Sequence, residues 1–89
     1  MKIKIGDYVK VKEGTKDPDF DMFLIGGYQG RVFSIEKNSE ETLIGIKWDK
    51  QTLLKMPKIM RNRCINDYLE YDKMFLLSDE VEIISSGVR

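Results

Sequence analysis

Residues 16–21 read KDPDFD, with Asp17, Asp19 and Asp21 alternating with Pro18 and Phe20. Carboxylates spaced in this way supply hard oxygen ligands, and calcium is the cation such loops hold. Laid over an EF-hand loop, Asp17 opens the grid and Asp19 and Asp21 take the next two ligand positions. The position of the turn glycine holds Met22, and that of the closing bidentate glutamate holds Tyr28. The grid therefore fails where it is most diagnostic. Two readings of the loop remain. In one, Asp17, Asp19 and Asp21 hold calcium loosely, helped by loop carbonyls and water. In the other, which the residue types favour, Asp17-Pro18 starts a turn and each aspartate bonds nearby amides. Calcium is the one cofactor the residues bring into question.

Other reactive groups are scarce. Histidine is absent, which removes the commonest general base and the commonest transition-metal ligand. Cys64 is the single cysteine. It shares helical spacing with Met60 and Tyr68, so it is expected as a small buried apolar group rather than a nucleophile. No serine lies in a G-x-S-x-G elbow, and GGYQGRV opens a strand rather than a helix, unlike a phosphate-binding glycine loop. The expectation is a protein that is not an enzyme.

Charge is balanced but segregated. The 89 residues carry 15 Lys plus Arg and 15 Asp plus Glu, a net charge of zero that argues against a dedicated nucleic-acid binder. Lys50, Lys55, Lys58, Arg61 and Arg63 fall in a stretch, 50–66, with no acid. Asp67, Glu70, Asp72, Asp79, Glu80 and Glu82 follow, against Lys73 alone. One reading makes Lys55, Lys58, Arg61 and Arg63 a patch for an RNA or DNA backbone, with Tyr68 or Tyr71 near for stacking. The other lets the basic and acidic segments neutralise one another, and the zero total favours it.

These groups must be positioned by short elements. DYVKVK alternates, with Val9 and Val11 facing a core. Residues 13–27 hold Gly14, Pro18, Gly26 and Gly27 and form a long loop, with the apolar MFLI island packing back onto the body. A strand runs from about Tyr28 to Glu36, and the three-residue step from Val32 to Ile35 calls for a bulge. KNSEE is a hairpin turn. TLIGIKW is a strand with Ile44, Ile46 and Trp48 on one face, and TLLKM is a further short strand. Pro57 opens a helix to about Leu69, with Met60, Cys64 and Tyr68 on its apolar face, widened by Ile65 and Leu69. MFLL and SDEVEII close a mainly β chain with one inserted α-helix at about 57–69.

G-D-x-V-x-V (Gly6, Asp7, Val9, Val11), then G-x-x-G-x-V (Gly27, Gly30, Val32) with Ile35, then Ile46, Trp48 and Asp49, with Val81 at the end, resemble an SH3-like small β-barrel of the KOW or Tudor-like type. The resemblance covers most of the chain and departs from it in the long 13–27 loop and the inserted helix. It implies a five-stranded barrel. It also implies that exposed aromatics near loop ends bind a peptide or a cation, which points to Tyr8, Tyr28 and Phe33; the other reading buries Tyr8 and Tyr28 in part under the 13–27 loop. KDPD followed by GG-x-x-G-R-V and a Trp-Asp strand end also resembles small bacterial proteins labelled calcium-binding.

One domain over 1–84 with a short tail at 85–89 is expected from this length. The lone cysteine fits a reducing cytoplasm, and the alternating N-terminus does not read as a signal peptide. The expected function is a non-catalytic binding module for a protein or peptide, through a rim formed by Tyr8, Phe20, Tyr28 and Phe33.

Overall fold

A computed structural model describes residues 3–18, 20 and 22–85. The elements in chain order are β1 (Tyr8–Val11), β2 (Gln29–Lys37), β3 (Thr42–Trp48), α1 (Lys50–Lys55), α2 (Lys58–Asn66), β4 (Lys73–Leu77), a 3-10 turn (Ser78–Glu80) and β5 (Val81–Ser85). The strands form one sheet in the order β4-β3-β2-β1-β5, with every neighbouring pair antiparallel. No ladder joins β4 to β5 among the described residues, so the sheet is open, whereas the SH3-like resemblance implies a barrel.

The inner face follows the period of two. Val9 and Val11 are buried, as are Ile44, Ile46 and Trp48, while Lys47 between the last two is exposed. The step from Val32 to Ile35 is resolved by a bulge. Val32 faces Ile46 and Ser34 faces Gly45, so Phe33 is the extra residue. The bulge lets both Val32 and Ile35 reach the core and turns Phe33 outward. The hairpin from β2 to β3 turns on Asn38, whose Oδ1 accepts from the amides of Glu40 and Glu41 at 2.9 and 2.8 Å.

The loop between β1 and β2 packs onto the body through Phe23 and Ile25, while Met22 and Leu24 of the same apolar island are exposed. Lys16 bridges Leu24, Ile25 is fully buried, and Phe20 meets Phe23 edge-on at 6.3 Å. Asp17 is only 1% exposed, and its Oδ1 accepts the amide of Phe20 at 3.1 Å.

Between β3 and β4 the sequence expectations need correcting. TLLK belongs to α1 and Met56 caps its end, so TLLKM is not a strand. Thr52, Leu53 and Met56 fit a helical face as well as a strand, and the decisive signal is Asp49. Its Oδ1 accepts the amide of Thr52 at 2.7 Å, which caps the helix. The chain then carries two helices rather than one over 57–69. Met56 precedes proline and is held extended, which breaks the first helix. Pro57 is the N-cap of α2, its carbonyl accepting from Arg61 at 3.1 Å.

The apolar face of α2 is narrower than its spacing predicts. Met60 and Cys64 are buried, but Ile65 is exposed and Tyr68 lies beyond the helix. The helix ends at Asn66 because the next residues form a Schellman motif. The Tyr68 amide donates to Ile65 O at 3.1 Å and the Leu69 amide to Cys64 O at 2.7 Å. Tyr68 holds the position where glycine is usual, at φ 60°. Among the described residues no helix is long and apolar enough to cross a membrane. The tail expected at 85–89 lies, after Ser85, outside the described residues.

Candidate functional site

A groove of about 630 Å³ lies between the turn after α2 and the strand β4. Its floor is apolar. Met60 and Cys64 come from α2, Leu69 from the Schellman turn and Met74 from β4. Its outer wall is aromatic, since Phe33 and Phe75 meet edge-on with ring centroids 5.6 Å apart. Phe33 is 39% exposed and Phe75 44% exposed, and Tyr68 at the mouth is 97% exposed. Glu70 and Lys73 supply the charge, joined by an ion pair at 2.9 Å. That hydrogen bond is the main reason the Lys73 ammonium titrates above its ordinary value. Lys73 also lies 5.8 Å from the Phe33 ring centre, within cation–π range.

The aromatic wall depends on two local features. The bulge in β2 aims Phe33 outward, and Gly45 lies beneath both rings. A Cβ at Gly45 would stand 2.9 Å from Phe75 Cε2 and 3.0 Å from Phe33 Cζ, so the pair packs where a side chain is missing. The Tyr68 geometry is the third feature. A tyrosine in the left-handed region costs about 1–2 kcal/mol, and its exposed ring recovers none of this by burial. Strain of this kind clusters at functional positions.

The structure separates the four rim residues expected from the sequence. Tyr28 is 7% exposed and belongs to the core, edge-on to Trp48 at 5.4 Å, with its hydroxyl 3.8 Å from Met60 Sδ. Burial, with the charge of Asp17 added, raises its pKa. Of the two readings of Tyr28, an exposed rim residue or a residue buried under the 13–27 loop, the structure bears out burial. Phe20 is buried too, under the guanidinium of Arg63 at 5.3 Å. Tyr8 is half-buried and donates its hydroxyl hydrogen bond to Asp49 Oδ2. Phe33 alone of the four borders the groove. Sequence reasoning missed Phe75 and Leu69 because their exposure depends on how β4 and the Schellman turn meet.

Three cations of the basic segment rest on neighbouring aromatic rings. Lys55 sits 5.9 Å from the ring centre of Tyr28, and Arg61 5.0 Å from that of Tyr71 while also donating to Leu53 O at 2.7 Å. Arg63 is engaged with Phe20 and Lys58 is exposed in the first turn of α2. Of the candidate calcium ligands, Asp17 is buried in the loop, while Asp19 and Asp21 lie outside the described residues. Among the described residues no group of three acidic, cysteine or histidine side chains is placed to hold a metal ion.

A polar network ties the start of β2 to α1. Thr52 Oγ1 accepts the Gln29 amide at 3.0 Å, and the Asp49 amide donates to Gln29 O at 2.9 Å. Burial raises the Asp49 pKa, but the hydrogen bonds from Tyr8 and Thr52 outweigh it and hold the carboxyl below its ordinary value. Compared with protein-family models, curated proteins and solved structures, the chain matches none.

Proposed function

We propose that this chain is a non-catalytic protein-interaction module that holds an extended peptide in the groove beside β4. The observation that carries this reading is the groove itself. It has an apolar floor, an exposed aromatic wall and a single neutralised ion pair, the composition by which proteins grip peptide side chains. We further read the fold as SH3-like, with its sheet left open between β4 and β5. The support is the antiparallel meander of β1 to β4, with β5 returning beside β1. The buried Cys64 is compatible with the cytoplasm as its site of action.

Display of random peptides against the folded chain tests this reading. Enriched peptides are expected to bind with micromolar strength and to shift the amide resonances of Phe33, Leu69 and Phe75. Leu69→Glu is expected to weaken them about tenfold or more, by placing a charge on the apolar floor, with the melting temperature little changed. A folded chain that enriches no peptide overturns the reading.

A further inference from the structure

We infer that the peptide lies in the groove as an added β-strand, pairing with the free edge of β4. It would place an acidic side chain opposite Lys73 and a large apolar one opposite Phe75. This rests on the reading of the chain as a peptide-binding module and specifies how the peptide is held.

The ladder shows which main-chain groups face the groove. Lys47 pairs with Lys73, Ile46 with Met74 and Gly45 with Phe75, and the Trp48 amide donates to Asp72 O at 2.9 Å. In an antiparallel pair, bonded and non-bonded positions alternate. Trp48 and Asp72 are bonded, so Met74 and Leu76 turn their N–H and C=O toward β3. Lys73, Phe75 and Leu77 turn theirs away. Leu77 confirms the phase: its amide donates to Glu80 Oε1 at 2.9 Å, on the outer side. That side-chain cap protects only the last residue of the edge. Among the described residues no strand pairs with the outer side of Lys73 and Phe75.

The lining of the groove gives the same answer independently. Lys73, Met74 and Phe75 all border it. Consecutive strand residues point to opposite faces, and Met74 is buried while Phe75 is exposed. One groove touches all three only if it runs along the backbone edge. A strand laid there meets Phe33, Lys73 and Phe75 with alternate side chains, and Met60, Cys64 and Leu69 with the others. A nucleic acid would use the aromatic wall and the cations but leave the main-chain groups and the apolar floor unmatched, so the observations favour peptide.

Charge selects the chemistry of the strand. Arg31 faces Lys47, and Lys47 faces Lys73, so three cations form one row across β2, β3 and β4. Like charges placed directly opposite destabilise a sheet. Among the described residues Arg31 and Lys47 form no ion pair, and Lys73 has Glu70. Glu70 is exposed, so its pair with Lys73 is readily exchanged. An acidic residue on an added strand opposite Lys73 continues the row with the opposite sign. Two positions along, on the same face, the added strand meets the Phe33–Phe75 pair.

The test uses a short synthetic peptide with glutamate and tryptophan two positions apart on one face and leucines on the other. A matched peptide carries N-methyl groups on the amides that would meet the carbonyls of Lys73 and Phe75. The parent is expected to bind and to slow hydrogen exchange at the Lys73 and Phe75 amides. The N-methylated form is expected to bind about tenfold or more weakly, for the loss of two main-chain hydrogen bonds. Lys73→Glu is expected to weaken the parent and to recover binding with a lysine-for-glutamate peptide, with the fold checked by melting. Equal binding of the N-methylated peptide overturns edge pairing and leaves the groove reading standing. Binding of a single-stranded oligonucleotide with no peptide bound overturns both. Self-association of the chain through β4, seen by sedimentation and abolished by Phe75→Lys, would replace the peptide with a second copy and overturn the proposed occupant.

Discussion

The hydroxyl of Tyr8 donates a hydrogen bond to the carboxylate of Asp49, a residue 41 positions away. The bond joins the first strand to the start of α1, and the same carboxylate caps that helix through the Thr52 amide. Arg31 lies across the Tyr8 ring at 5.6 Å and donates to Gly6 O at 3.0 Å, which secures the tyrosine from the other side. Tyr8 thus acts as a tie between strand and helix.

Removing the tie has a defined pH signature. Burial, followed by the hydrogen bond and charge of Asp49, pushes the Tyr8 pKa up to about 12, with Arg31 opposing. The folded chain therefore keeps a proton that unfolded tyrosine loses near pH 10. The stability from Tyr8 is complete below about pH 10 and is lost as pH rises toward 12. Asp49 has the opposite sign: its depressed pKa contributes stability above about pH 4 that is lost as pH falls through the folded value. Tyr8→Phe is expected to cost about 1–2 kcal/mol at neutral pH. It should also remove the Tyr8 share of the alkaline loss and flatten the acid limb. Urea unfolding across the pH range measures all three.

Gly45→Ala probes the aromatic wall. The new methyl would lie within 3.0 Å of both rings, so Phe33 and Phe75 must separate. Repacking of this kind costs about 1–3 kcal/mol. The paired ring-current shifts of the two phenylalanines should collapse in the proton spectrum, and peptide binding should fall with them.

Tyr68→Gly is expected to stabilise the chain by up to about 1 kcal/mol, because the left-handed cost it removes exceeds the entropy glycine adds to the unfolded state. The ring buries nothing, so no packing is lost. A higher melting temperature together with weaker peptide binding would mark Tyr68 as a residue kept for the groove. Lower stability would contradict the strain argument.

Asp17→Ala is expected to destabilise the loop by about 1–3 kcal/mol, since it leaves the buried Phe20 amide without its acceptor. Thermal melts in millimolar calcium and in chelator separate the two readings of the acidic loop. An equal loss in both assigns Asp17 to turn formation. A loss that appears only in calcium assigns it to the ion.

Much of the sheet was legible because its signals are local. Val9 and Val11 alternate, the Val32 to Ile35 step demands a bulge, and Asn38 closes a hairpin with its own side chain. The stretch from 50 to 72 was harder to read. Asp49 caps a helix with Thr52 three residues on, yet Thr52, Leu53 and Met56 also suit a short strand, and length does not separate them. The end of α2 was misplaced for a different reason. Helical spacing carries through Tyr68, and only the hydrogen bonds of the Schellman turn stop it at Asn66.

By itself, the amino-acid sequence determined the positions of β1 to β5, the core face of β1 and β3, the bulge and the scarcity of catalytic groups. These follow from side-chain period and residue type, which act over a few neighbouring positions. Which aromatics stay exposed was decided only in three dimensions. Tyr28 and Phe33 look alike in sequence, yet α2 covers one and the bulge turns the other outward. The groove depends on the same long-range placement. Phe33, Leu69 and Phe75 come from three separate segments, and their proximity depends on the ladder joining β2, β3 and β4 and on the turn that α2 makes beside it.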